Sequence, residues 1–332
     1  MQFFITLTKK ILTIIVFLFF CWLLIELFLM AAPTMLAFLR DPKTLFGGRK
    51  NSFKIYCLGD SFTYGMGMTH DKSYPFLLEE KLKEIYPEKN IEVFNLGKPS
   101  HGLSYVYYTI KELHENKKDQ NSLFLVLGGW NVSDYDFARF DKQQSESFSD
   151  KLRLFLNNFR TFRFIKSWYY FKKLYYPYGK EDYIPPFWAK LNYDFEKYQK
   201  INLDYLEKIA KYAKENNLKV VFLNYPQNPP PENPYTDLEV NHFMLSKEKI
   251  ADGDYLVKNR NKDEIAINSI IRFIAEKYDL PLISIKADFE ASDKKREDLF
   301  LDDGYHPNIE GQKIISENVF DYLKGKDLFS LR

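Results

Sequence analysis

Three side chains of this sequence have the types needed for acyl transfer. They are the serine of Gly59-Asp60-Ser61 and the aspartate and histidine of Asp303-Gly304-Tyr305-His306-Pro307. A serine hydroxyl is a weak nucleophile until a base takes its proton, and imidazole, with a pKa near ambient pH, suits that task. His306 is the candidate base. Asp303 lies three residues earlier, so one short loop can supply both, and its carboxylate would fix the ring tautomer and stabilise the imidazolium. The tetrahedral intermediate carries an oxyanion and needs preorganised donors. Candidates are the backbone N–H of Ser61, a backbone N–H at Ser100 or Gly102, and the Asn131 side chain. Asp60, His101 and Trp130 are candidate pocket residues. Each also has a plainer reading: Asp60 bonding its own turn, His101 in a solvated turn, Trp130 in packing. Of five histidines, His306 alone has an aspartate three residues earlier.

These residues can act together only if the fold gathers them. Apolar runs at 53–58, 91–96, 123–127, 218–223 and 282–285 read as strands. Between them, amphipathic runs at 74–86, 103–116, 194–217 and 262–278, with a last one at 308–323, read as helices. Alternating strands and helices imply an α/β fold: a roughly five-stranded parallel sheet covered on both faces, in three αβα layers. Ligands of such sheets bind at the carboxyl ends of the strands. Ser61 follows the first run, 95–102 the second, Gly128-Gly129-Trp130-Asn131 the third, and 302–307 the fifth. All are therefore expected at one edge. The chain order Ser…Asp…His matches that of the α/β-hydrolases, but G-x-S-x-G is absent.

Composition narrows the classes. The 332 residues are 45% hydrophobic and 17% aromatic, enough for one large domain or two small ones, and the net charge of +2 argues against a nucleic-acid partner. Cys21 and Cys57 lie in an apolar N-terminal run and a core strand and are not expected to pair. No phosphate loop, dinucleotide fingerprint or zinc-like Cys/His cluster is present, so neither cofactor nor metal is expected.

Residues 1–10 end in Lys9-Lys10, and 11–32 is apolar apart from Glu26. A helix crosses a bilayer with about 20 such residues, whereas the core of a cleaved signal peptide is roughly 7–15. A retained single-pass anchor is expected, with the N-terminus inside and the bulk extracytoplasmic. Glu26 would then mark contact with a membrane-protein partner, or would snorkel. Residues 33–52 read as a linker and 53–324 as the globular domain. That domain is interrupted at about 132–194 by an aromatic and basic insertion, where Phe155, Phe159, Phe162, Ile165 and Tyr169 recur at helical spacing. Such a stripe packs on the body, covers the site as a lid or leans on the membrane. A proline-rich stretch, 225–236, could rim the pocket.

From Phe53 to about Leu323, the chain resembles the SGNH (GDSL-type) hydrolases, a family named for its Ser, Gly, Asn and His. Gly59-Asp60-Ser61, Gly129-Trp130-Asn131 and Asp303-Gly304-Tyr305-His306-Pro307 carry the resemblance. It implies a flavodoxin-like sandwich and a Ser61 nucleophile with Asn131 as oxyanion donor and Asp303 and His306 as acid and base. The family glycine of the second block falls on Ser100 here, with Gly102 two residues on. The implied activity is a membrane-anchored serine esterase acting on O-acetyl groups of envelope glycans or on lipid-like esters. An O-acetyltransferase, or a silent binding subunit on the same fold, are the alternatives.

Overall fold

The computed structural model describes residues 2–41, 43, 48–49, 51–117, 122–132, 136, 152, 155–156, 159–162, 165, 195–226, 266–301 and 306–326. Asp302 to Tyr305, Tyr169 and residues 227–236 of the proline-rich stretch lie outside them. The chain divides into two compact units. One is Met1–Leu45 with Asp141–Ile184, and the other is Phe46–Phe140 with Pro185–Arg332. Residues 141–184 of the insertion fall in the same unit as the N-terminal helix.

In the larger unit five strands form one parallel sheet: β1 (Phe53–Gly59), β2 (Ile91–Gly97), β3 (Ser122–Leu127), β4 (Lys219–Leu223) and β5 (Leu282–Ile283). Their order is β2-β1-β3-β4-β5. β1 and β3 are buried along their whole length, as apolar strands covered on both faces must be. Helices α3 (Tyr74–Ile85), α7 (Ile285–Ala291) and α8 (Ile309–Gly325) pack as one group. Helices α4 (Leu103–Lys117), α5 (Phe195–Glu215) and α6 (Ala266–Lys277) pack as another. The three-layer α/β sandwich read from the sequence is therefore the observed fold.

The strand order reverses between β1 and β3: the chain first steps outward to β2, then returns across β1 to β3. In sheets of this order the crevice at that reversal is the ligand site. The ends of the central strands are level there, with Gly59 in register with both Gly97 of β2 and Leu127 of β3. The fifth strand is shorter than its apolar run. Ile285 and Phe289, four residues apart and both buried, instead start α7.

In the smaller unit, α1 (Gln2–Arg40) is a single long helix. Its segment Lys10–Ala32 is the one candidate among the described residues that is long and apolar enough to cross a membrane. Glu26 within it is buried against residues 160 and 161 of the insertion. Its carboxylate accepts from this chain's own backbone N–H groups at 160 and 161 and from the Thr161 hydroxyl. Neither Cys21 nor Cys57 takes part in a disulfide.

Candidate active site

Ser61 opens α2 (Ser61–Tyr64), a single turn that follows β1 directly. The first N–H groups of a helix have no acceptor of their own, and the Asp60 carboxylate takes that of Phe62 at 3.1 Å. Two glycines make the turn possible. A Cβ on Gly59 would fall 1.9 Å from the Leu127 carbonyl oxygen, and one on Gly97 would fall 2.2 Å from the Tyr64 nitrogen. Lys98 N–H donates to Gly59 O at 2.9 Å, carrying the pairing of β1 and β2 one residue beyond the strand.

His306 comes from the other end of the sequence, and its Nε2 lies 2.8 Å from Ser61 Oγ, a buried contact between residues 245 apart. Its backbone is held by a small antiparallel clasp: Leu301 N–H donates to His306 O at 2.8 Å, Asn308 N–H to Leu299 O at 2.9 Å, and Phe300 bridges Pro307. Asn308 then caps α8, its side chain accepting from Glu310 and Gly311 N–H. Gln312, one turn into α8, accepts from Tyr74 N–H at 2.7 Å and donates to Phe62 O at 3.2 Å. The helix behind His306 is thereby tied to the turn that bears Ser61. The Phe62 ring packs between His306, Trp130 and Tyr225 at centroid distances of 5.2, 5.5 and 4.8 Å.

Asn131 follows β3 at the same edge and is half-buried. The turn that leads to it is braced on every side. Gly129, at φ +110°, gives its carbonyl to the Tyr198 hydroxyl at 2.6 Å and to Asn202 Nδ2 at 3.0 Å. Trp130 N–H donates to the Tyr225 hydroxyl at 2.9 Å, and that hydroxyl donates to Asp60 Oδ2 at 2.6 Å. Asn268 of α6 grips the Tyr225 backbone through both its N–H and its C=O. Tyr198, Asn202 and Asn268 escaped sequence reading, which reached Tyr225 only as the first residue of the proline-rich stretch after β4.

The second block is a turn closed by His101 N–H donating to Lys98 O, with Pro99 second and Ser100 third. Ser100 sits at φ +59°, the left-handed region that glycine tolerates best. Gly102 is buried, and a Cβ there would meet Asp136 Oδ2 at 2.4 Å and Asn131 O at 2.9 Å. The second and third blocks therefore touch. His101 turns its Nδ1 to Pro99 O at 2.8 Å. Trp130 is 8% exposed and packed among rings. Asp60, counted among candidate pocket residues, is wholly buried beneath the turn and lines no open surface. A cavity of about 570 Å³ lined by Arg49, Lys83 and Tyr86 adjoins the opposite, amino-terminal ends of the strands.

Burial pushes the Asp60 carboxyl up to about 6, against the hydrogen bonds from Tyr225 and Phe62 that favour its ionised form. Burial also pushes the Tyr225 hydroxyl well above its usual range, so it stays protonated as a donor to Asp60. The linkage has a definite sign. Between pH 3.8 and about 6 the folded state binds more protons at Asp60 than the unfolded state does. This residue's contribution to stability is thus fully present below 3.8 and lost as pH rises through about 6. Asp60→Asn cannot titrate. Its stability relative to the wild type should rise by about 3 kcal/mol between pH 3.5 and 7, read from urea midpoints in detergent. A gap that does not change with pH would contradict the assignment.

The model of the GDSL-like lipase/acylhydrolase family matches residues 57–314, a stretch that contains every residue of this site. The chain belongs to that family. As a GDSL-like protein, its chemistry is that of an ester hydrolase. No curated protein matches it in sequence. Several solved structures resemble this GDSL-like chain. The esterase EstA from Pseudoalteromonas sp. is 14% identical, covering 83% of this chain and 98% of its own, with a TM-score of 0.43. A member of the lipolytic G-D-S-L family from Veillonella parvula is 13% identical, covering 82% and 98%, at 0.44. Axe2, an acetylxylan esterase from Geobacillus stearothermophilus, is 14% identical, covering 82% and 92%, also at 0.44.

Proposed function

We propose that the chain is a membrane-anchored serine esterase that cleaves carboxylic esters of O-acetyl or lipid type through an acyl-enzyme on Ser61. The observation that carries this reading is the 2.8 Å approach of His306 Nε2 to Ser61 Oγ at the carboxyl edge of the sheet. In the tautomer with Nδ1 protonated, Nε2 accepts the Ser61 proton as Oγ attacks the ester carbonyl carbon. The imidazolium then gives that proton to the departing alcohol. Water enters, His306 takes a proton from it, and the acid leaves while Ser61 regains its hydrogen. Asp303 orients the ring. Support comes from its place three residues before His306, in a connection whose ends, Leu301 and His306, share a backbone hydrogen bond.

The oxyanion would be met by Ser61 N–H, by an N–H at Ser100 or Gly102, and by the Asn131 side chain. The positive φ of Ser100 fits the family's glycine at that position, and the braced turn before Asn131 limits reorganisation during the reaction. Asp60, ionised at neutral pH, adds a second negative charge near the imidazolium. The anchor reading rests on the 23-residue apolar run Lys10–Ala32. Lys9 and Lys10 favour an inside N-terminus, with the catalytic unit on the far side.

The test is labelling of membranes with a fluorophosphonate. The expected adduct is on Ser61, and it should be lost on denaturation and in His306→Ala. An unlabelled Ser61 in folded protein would overturn the proposal.

A further inference from the structure

Glu26 is a buried carboxylate inside the segment read as the membrane span. Its oxygens accept from Arg160 N–H at 2.6 Å, Thr161 N–H at 2.9 Å and the Thr161 hydroxyl at 2.8 Å. Thr161 Oγ1 in turn accepts from the Trp22 indole at 3.0 Å. The Trp22 ring meets Phe159 edge-on at 5.5 Å, and Phe159 meets Phe155 at 5.3 Å. All these residues belong to one compact unit.

Helix rise converts these contacts into depths. At about 1.5 Å per residue, Glu26 lies roughly 9 Å from the Ala32 end of the apolar run, and Trp22 roughly 15 Å. The hydrocarbon core is about 30 Å thick. Residues fixed to Glu26 and Trp22 share their depth, so Thr161 lies inside the bilayer and Phe159 near its middle. At that depth every backbone N–H needs an acceptor. Residues 160–162 are helical, and the first N–H groups of a helical turn have none of their own. Glu26 supplies the acceptors, while a carboxylate in hydrocarbon is tolerated where donors face it. Each group satisfies the other's need. Among the described residues of the insertion the exposed ones are apolar: Leu152, Phe155 and Ile165 are 46%, 58% and 61% exposed.

We propose that the part of the insertion bearing Phe155, Phe159, Thr161 and Ile165 is an arm held within the bilayer, clamped to the spanning helix by Glu26 and contacting lipid acyl chains through Phe155 and Ile165. The proposal rests on the anchor reading, and the experiment separates the two. Single cysteines are placed at Phe155, Ile165, Phe17 on the span and Lys295 on the water-exposed surface, in the full-length chain with Cys21→Ala. Cys57 is buried in the core. Each is labelled with bimane after reconstitution into phosphatidylcholine vesicles. Lipids brominated on the acyl chains should quench Phe155→Cys and Ile165→Cys at least twofold, like Phe17→Cys, whereas iodide should quench only Lys295→Cys. In Glu26→Ala the arm positions should lose lipid quenching while Phe17→Cys keeps it, and Glu26→Gln, which retains one acceptor oxygen, should restore part of it. If Phe155→Cys and Ile165→Cys respond as Lys295→Cys does while Phe17→Cys is lipid-quenched, the arm is refuted and the anchor stands. Iodide quenching of Phe17→Cys would overturn both. Unchanged arm quenching in Glu26→Ala would refute the clamp.

Discussion

Ser61→Ala is expected to lower kcat on a chromogenic acetyl ester by at least about 10⁴-fold with little change in thermal stability. The reason is that the hydroxyl and imidazole act as one unit: removing either leaves only the oxyanion donors and substrate binding. His306→Ala should fall to nearly the same floor, and the double variant should be no worse than either single one. Asn131→Ala, which removes one donor and leaves the nucleophile, should lose about 10²–10³-fold. Hydrolysis rates of the purified full-length chain in detergent, with active sites counted by phosphonate titration in the wild type, measure all four. Ser61→Ala turning over at the wild-type rate would end the acyl-enzyme reading. Losses at Ser61 and His306 that multiply would mean that they act separately.

The second large effect is on the fold. Gly59→Ala places a methyl group 1.9 Å from Leu127 O and 2.5 Å from Thr63 Oγ1. The first of these is backbone of the neighbouring strand, so no rotamer change relieves it. β1 and β3 must separate at the end that presents Ser61, or the turn must tilt. Overpacking of this kind costs about 3 kcal/mol or more when backbone has to move, a fall of roughly 6–12 °C in Tm for a chain of this size. Gly325→Ala, where a Cβ meets nothing within 4 Å, is the matched control and should lie within about 1 °C of the wild type. Equal melting temperatures for the two variants would show that the strand ends are less closely spaced than the register implies.

Most of the fold was legible because burial on both faces writes itself into composition. β1 and β3 are apolar runs with no alternation, and the helices between them carry clear stripes. The site was legible one level up. Nothing near Ser61 announces His306, 245 residues away, but strands of one parallel sheet present their following loops at a common edge. What stayed hidden depends on single polar atoms meeting across long separations. Tyr198 reads as one more aromatic on an amphipathic helix, and only the fold reveals that its hydroxyl holds the Gly129 carbonyl. Tyr225 reads as the start of a proline-rich loop, yet it reaches Asp60 across 165 positions. Glu26 looked like an invitation to another protein, because nothing local could indicate that residues 160 and 161 would meet it.

Gln312 carries a final implication for durability. One amide joins the closing helix to the peptide just after the serine, so loosening at the carboxyl end is transmitted to the reacting pair without touching either member. Heat, or a protease nicking near residue 325, would then silence the enzyme while its central sheet is still intact. Activity would thus depend on the seating of α8 as well as on the sheet.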